Sequence, residues 1–356
     1  MGVFELLHGE GESTDICFKA YDARQDKVPI IVMSGDNKRV VSKYDVGGSV
    51  LACDIDYEFN NNLFIELAIK LKKSGIREIY VDNAELLDQD TIEQLFLTAK
   101  FLDIDVYCYS KIKGKEGSTE GSRRLIMLSD ELIKLDGFDP FSENKHFHLY
   151  HGAMEVGKTA SLLMRAASAE QKKKKIYILK SFHDRDPKNL VSRAVGIRRA
   201  NYVFHEESLY ELGAKLSKRE IDIIYVDEAQ FLTPAQVHDL YHINRDYSIP
   251  IECFALKIDY LSNFFTGDAA LFELADTHYQ LTKKCPCCSQ NKTFNVRRDI
   301  NGRIINDLGD QIVVDDGNQG FTYGSVCPST FIREVFGIKD EASLIKRYER
   351  HWLFFI

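Results

Sequence analysis

The sequence predicts an α/β protein made of parallel sheets covered by helices. Three observations carry that expectation. Apolar strand-like runs alternate with helical stretches along most of the chain. One strand, around Phe147 and Leu149, runs into a glycine-rich turn and then into a strong helix former. The second half of the chain also repeats the first at a nearly constant offset.

In the first half, Val28–Met33 reads as a strand, Leu63–Lys72 as a helix with an apolar face and Ile76–Asp82 as a strand. Thr91–Leu102 reads as a helix and Ile104–Tyr109 as a strand, and polar, glycine-rich Lys111–Ser122 reads as a loop. The repeat then sets Tyr80-Val81-Asp82-Asn83-Ala84-Glu85 beside Tyr225-Val226-Asp227-Glu228-Ala229-Gln230, and His8-Gly9 beside His151-Gly152. Ile104–Tyr109 likewise meets Ile249–Phe254, and Leu128-Ser129-Asp130 meets Leu274-Ala275-Asp276. Four matches in one order predict a duplicated domain, with a Pro- and Gly-containing linker at Gly137–Lys145.

Composition excludes several classes. At 356 residues two domains are expected, and 44% hydrophobic with 28% charged residues is ordinary for a soluble chain. A net charge of −8 argues against coating nucleic acid by bulk electrostatics. No apolar run approaches the ~20 residues of a membrane span, so neither nucleic acid nor membrane is an expected partner. The eight cysteines are scattered singly except at Cys285, Cys287 and Cys288, which suggests a reduced, cytoplasmic chain with one metal site. The four lysines Lys172–Lys175 read as a solvated turn.

The chemistry concentrates in the second half. Gly152-Ala153-Met154-Glu155-Val156-Gly157-Lys158-Thr159 fits G-x-x-x-x-G-K-[ST] between a strand and a helix. Glycines let the backbone N–H groups turn inward onto phosphate oxygens, and the helix N-terminus adds positive potential. Lys158 can reach β- and γ-phosphates, and the Thr159 hydroxyl can hold Mg²⁺. Glu155 is tolerable in such a loop only if it points away from the anion. Glu220–Leu232 reads as a strand ending in Asp227-Glu228. Asp227 suits Mg²⁺, while Glu228 can take a proton from a hydroxyl nucleophile or orient a water. Lys180, Asp184, Arg185 and Arg193 fall at the carboxyl edge of the strand Ile176–Leu179, where Arg193 or Arg185 could clamp phosphate, or all could be surface ion pairs. Cys285, Cys288 and Cys327 supply three of the four positions of a structural zinc, the alternative being that the site is empty and Cys285 and Cys288 are simple buried thiols. Cys287 and His351 are candidates for the fourth, because Cys327-Pro328-Ser329-Thr330 has no ligand at the usual spacing. In the first half, Thr14-Asp15-Ile16 stands where Gly157-Lys158-Thr159 stands in the second, and Asn83 stands for Glu228. By charge that half should not hold a nucleoside triphosphate.

These residues resemble the type II thymidine kinases over about 146–330. The resemblance rests on GAMEVGKT against the family's G-P-M-[aromatic]-[small]-G-K-T, on DEAQF at Asp227–Phe231, and on VSRAVG after a K…DR element. It rests also on ALKIDYLSNFFTGD at Ala255–Asp268 against G-L-R-T-D-F…F-x-G, on Leu274-Ala275-Asp276 before C-x-x-C, and on Tyr323-Gly324-Ser325-Val326-Cys327 against Y-x-S-V-C. The chain departs from the pattern at Ala153, Glu155, Lys257, Ile258 and the fourth zinc position.

The resemblance implies two tandem phosphate-loop NTPase-like (RecA-like) domains. Residues 1–140 would be a degenerate copy, 146–282 the ATP-binding kinase domain, 283–330 a zinc-ribbon-like subdomain with a lasso loop near Asp315–Tyr323, and 331–356 a helical tail. It implies transfer of the γ-phosphate of ATP to the 5′-hydroxyl of thymidine, with Glu228, Lys158 and Arg193 catalytic. Residues 152–159, Asp227 and Gln230 would hold ATP and Mg²⁺, while Met154, Leu256, Tyr260, Phe265 and Tyr323 would line the nucleoside pocket. Zinc would be structural. Family members are commonly tetramers, so the fused copy implies a dimer of internal pseudo-dimers. A nucleotide-binding regulator that has lost transfer is the alternative.

Overall fold

The computed structural model describes residues 2–9, 12–25, 28–46, 49–59, 64–112, 118–135, 146–192, 194–286, 288–305 and 320–352. The linker at Gly137–Lys145, Arg193, Cys287 and most of the lasso fall outside them. The chain forms two compact units, Met1–Asp139 with Ser329–Ile356, and Pro140–Pro328.

The first unit runs β1 (Phe4–Gly9), α1 (Glu12–Gln25), β2 (Ile30–Ser34), β3 (Val40–Val46), β4 (Ser49–Cys53), α2 (Phe64–Lys73), β5 (Glu78–Asp82), α3 (Gln89–Leu102), β6 (Asp105–Tyr109), α4 (Glu120–Leu128) and β7 (Glu131–Leu135). Five strands form one parallel sheet in the order β2-β5-β6-β1-β7. Phe4, Leu6, Ile79, Val81, Val106 and Cys108 are fully buried along it. Each such side chain contributes on the order of 1.5–3 kcal/mol by leaving water. The stretch expected as a loop to Ser122 instead enters α4 at Glu120. Thr119 caps that helix by accepting from the Ser122 N–H at 2.9 Å, a local bond that outweighs the run's turn-like composition.

The second unit runs β8 (Phe147–Gly152), α5 (Lys158–Gln171), β9 (Ile176–Ser181), β10 (Asn189–Ser192), β11 (Gly196–Arg199), β12 (Tyr202–Phe204), α6 (Tyr210–Lys218), β13 (Ile223–Asp227), α7 (Pro234–Tyr247), β14 (Ile251–Leu256), α8 (Asp268–Leu274), β15 (Thr277–Gln280), β16 (Phe294–Asp299), β17 (Ile304–Ile305) and β18 (Phe321–Val326). Its parallel sheet has the order β12-β9-β13-β14-β8-β15. Strands β17-β16-β18 form a separate antiparallel ribbon. Lys172–Lys175 are exposed at the turn between α5 and β9, as a solvated turn should be. Val191 and Ile197 pair with each other across the antiparallel β10–β11 hairpin.

Apart from edge strand β12, the second sheet repeats the order of the first, and details repeat too. Phe4 and Phe147 each donate their N–H to the carboxylate of an aspartate, Asp130 at 2.8 Å and Asp276 at 2.9 Å. Val106 lies opposite Phe4 and Ile79, as Ile251 lies opposite Phe147 and Ile224. Asn83 and Glu228 take the same left-handed backbone, at φ 48° and 54°, each opening a short 3-10 turn.

The units differ after the first strand. Lys158 begins α5, whereas Asp15, which the sequence sets beside it, lies inside α1, three residues after the first described residue of that helix, Glu12. Asp15 lies one turn on, accepts from the Tyr109 hydroxyl at 2.7 Å and pairs with Lys19 at 3.2 Å. The Glu12 carboxylate accepts from the Gly9 N–H at 3.0 Å. Burial pushes the Glu12 carboxyl up to about 7, opposed by the bond from Gly9 and reinforced by Glu85 and Asp82. The folded chain thus keeps a proton that the unfolded chain releases at about pH 4.3, and stability falls as pH rises from there to about 7. Glu12→Gln keeps the acceptor for Gly9 and removes the charge. By chemical denaturation it is expected to stabilise the first unit by about 1–2 kcal/mol at about pH 8, and to leave it unchanged near pH ~4.

The tail forms two helices, α9 (Pro328–Glu334) and α10 (Glu341–Trp352). From Ser329 onward it belongs to the first unit. Arg347 and the Tyr348 hydroxyl both bond Glu93 Oε1, at 2.8 and 2.9 Å, and Arg124 reaches Glu93 Oε2 at 3.1 Å. Together with burial of Leu344 and Tyr348, that network assigns the tail to the first unit.

Candidate active site

The phosphate loop leaves β8 at Gly152. A Cβ there would lie 2.4 Å from the Leu281 carbonyl oxygen, so no other residue fits. Gly157 has φ +97°, a region that glycine enters without steric cost. Between them Glu155 is also left-handed, at φ 62°, and its side chain is exposed, as a carboxylate in an anion-binding loop must be. Ala153 is buried, while Met154, Val156 and Thr159 are partly buried.

Lys158 is the first residue of α5 and is 9% exposed. Its ammonium donates to the Ala153 carbonyl at 2.8 Å and lies 3.5 Å from that of Gly152. Burial lowers its pKa, and Glu228 and Asp227 oppose that shift. A cation held on its own loop's carbonyls can exchange those weak acceptors for phosphate oxygens.

Asp227 ends β13 and is 1% exposed. Burial raises its carboxyl, Glu228 adds to the rise, and Lys180 opposes it. Lys180 is therefore no surface residue. Buried at the end of β9, its ammonium lies 3.3 Å from both Asp227 and Asp184. The parallel register puts Lys180 opposite Asp227, a fact that spacing along the chain does not reveal. Arg185 is exposed at the same edge.

Glu228 follows in a left-handed conformation, φ 54° and ψ 42°. For a non-glycine residue that costs on the order of 1 kcal/mol, a strain found where side-chain placement matters. Gln230, 1% exposed, donates to Glu228 Oε2 at 2.6 Å and accepts from the Leu256 N–H at 3.0 Å. Both ends of its amide are engaged within the chain, so it fixes the carboxylate to the end of β14.

The aromatic residues separate into two groups. Tyr260, 4% exposed, stands 5.9 Å from the Tyr323 ring, and the Arg297 guanidinium lies 4.2 Å above Tyr260. Phe265 instead packs on Phe231 at 5.5 Å. Residues that sequence reasoning missed are Asn295 and Arg297 on β16, both at most 4% exposed. Asn295 accepts from the Met154 N–H at 2.7 Å and donates to the Ile258 carbonyl at 2.5 Å.

The sulfurs of Cys285, Cys288 and Cys327 all lie within 4.8 Å of one another, with Cys288 and Cys327 at 3.5 Å. Thiolates around one tetrahedral zinc stand ~3.8 Å apart, given Zn–S bonds of about 2.3 Å, so the three fit such an ion. Among the described residues no fourth ligand joins them. Cys287 and the side chain of His351 lie outside those residues.

A buried ammonium at a helix start, across the sheet edge from a braced carboxylate pair, is the equipment of a phosphate-loop kinase or NTPase. A family model described as thymidine kinase matches residues 145–331. The chain belongs to the thymidine kinase family. The thymidine kinase of Streptococcus pyogenes serotype M28 is 33% identical over 179 residues, 50% of this chain and 92% of its own. That of Albidiferax ferrireducens is 29% identical over 192 residues, 54% of this chain and 94% of its own. That of Salmonella paratyphi A is 29% identical over 207 residues, covering 57% and 97%. Among the described residues, no helix is long and apolar enough to cross a membrane.

Proposed function

We propose that the second unit transfers the γ-phosphate of ATP to the 5′-hydroxyl of thymidine. The observation that carries this reading is Glu228, held in a strained backbone and bonded by buried Gln230, beside the strand that ends in Asp227. A protein that only bound nucleotide would have no use for a braced, partly exposed carboxylate there. Glu228 takes the proton of the attacking hydroxyl. Lys158 exchanges its loop carbonyls for β- and γ-phosphate oxygens, and the N–H groups from Glu155 to Thr159 complete the cradle. The Thr159 hydroxyl and the Asp227 carboxylate are the donors that would hold Mg²⁺, whose charge offsets that of the phosphates when it is bound. Arg193 is assigned to the transferring phosphate.

Met154, Leu256, Tyr260, Phe265 and Tyr323 are assigned to the nucleoside. The lasso excludes water, which otherwise competes with the hydroxyl. Cys285, Cys288 and Cys327 are assigned to a structural zinc that closes the ribbon. Cys288→Ser is expected to lower zinc content from about one per chain to near zero, measured by atomic absorption, and to speed proteolysis within 283–326. We further propose that the first unit is a degenerate copy of the second, on the strength of the shared strand order and left-handed strand ends. Its Glu12 and Asp15 put negative charge where a phosphate cradle would need a cation. Two chains would then make a dimer of internal pseudo-dimers, and a strictly monomeric mass in solution would rule that assembly out.

The test is a coupled assay with ATP, Mg²⁺ and each of the four common deoxynucleosides. Turnover with thymidine alone supports the assignment. ATP binding without turnover on any nucleoside would replace it with a regulatory nucleotide-binding role.

A further inference from the structure

We infer that Asn295 is a positioning residue that locks the phosphate loop to the loop after β14, so that the ribbon sets the shape of the catalytic pocket. The inference rests on the kinase reading of the second unit. Asn295 is on β16 and 1% exposed. One end of its amide accepts from the Met154 N–H at 2.7 Å, inside the phosphate loop. The other donates to the Ile258 carbonyl at 2.5 Å, just beyond β14. The partners settle the amide's orientation, since a backbone donor faces one end and a backbone acceptor the other.

The two loops it joins also meet through the Lys257 N–H and the Gly152 carbonyl at 3.2 Å. Without Asn295, Met154 and the fully buried Ile258 would each lose a partner for a backbone polar group. The brace extends into the ribbon. Asn295 pairs with Ser325, and Phe294 with Val326, which directly precedes Cys327. Two residues along the same face of β16, Arg297 lies over the rings of Tyr260 and Phe321, at 4.2 and 5.1 Å. One strand face thus touches the phosphate loop, the loop after β14 and an aromatic residue assigned to the nucleoside. The short amide presents an acceptor and a donor together. Asn295→Asp keeps the acceptor for Met154 and loses the donor to Ile258.

The test is hydrogen–deuterium exchange by mass spectrometry on the full chain, with ATP binding measured by calorimetry. In Asn295→Ala, exchange in 152–157 and in 256–260 is expected to quicken about tenfold while β13 keeps its protection, and the ATP dissociation constant rises about tenfold. In Asn295→Asp the quickening is confined to 256–260. Unchanged exchange in both segments of Asn295→Ala overturns the inference. Should that variant not fold, unchanged exchange at 256–260 in Asn295→Asp overturns it. Absence of phosphoryl transfer by the unaltered protein would remove the proposed reaction but leave the exchange comparison able to decide on the brace.

Discussion

Replacing Glu228 by Gln is expected to lower kcat by about 10²–10⁴-fold with little change in ATP affinity, the range of a lost general base. The substitution is nearly isosteric and leaves the left-handed backbone and the neighbouring Gln230 in place. It removes the group able to take the proton of the attacking hydroxyl. Single-turnover kinetics beside calorimetric ATP titration separate the two effects. A variant that retains wild-type kcat would show that the hydroxyl needs no base and that Glu228 only supports structure. One that loses ATP binding as well would place the carboxylate in the nucleotide cradle.

Replacing Lys158 by Met is expected to reduce kcat/KM for ATP by about 10²–10³-fold, the usual loss when one preorganised donor to a developing charge is removed. Met fills most of the space of the buried alkyl stem, so the fold should persist. The ammonium has two functions. It bonds the carbonyls of Ala153 and Gly152 in the folded chain, and it is the positive charge that Asp227 and Glu228 face from α5. Removing it eases protonation of Asp227, which burial already pushes up. The acidic limb of the pH–rate profile should therefore move to higher pH along with the loss of rate. A rate loss without that displacement would mean that Lys158 acts on phosphate alone.

Much of the site is legible in the sequence because its parts are local. Gly157 satisfies a backbone demand set within the loop itself, and Lys158 and Thr159 follow because the helix starts there, whereas what bars a side chain at Gly152 is the distant Leu281 carbonyl. Asp227 and Glu228 end an apolar run, and a parallel strand presents its carboxyl end at the sheet edge. The cysteines are legible by type and spacing. The repeat is legible as text, but its alignment after β1 is not. Sequence matching set Asp15 against Lys158, but Asp15 lies inside α1 while Lys158 begins α5.

What the chain encodes locally is therefore the strands, the phosphate loop and the acid pair, since each depends on neighbours a few residues away. Tertiary structure alone decides the long-range partners. Strand register brings Lys180 to Asp227, and the fold of the ribbon brings Asn295 to Met154 across 141 positions of sequence. It also gives the tail to the first unit through Glu93, Arg347 and Tyr348. In each case a buried polar group needs a partner, and which partner it finds depends on how the elements pack, which residue spacing does not record.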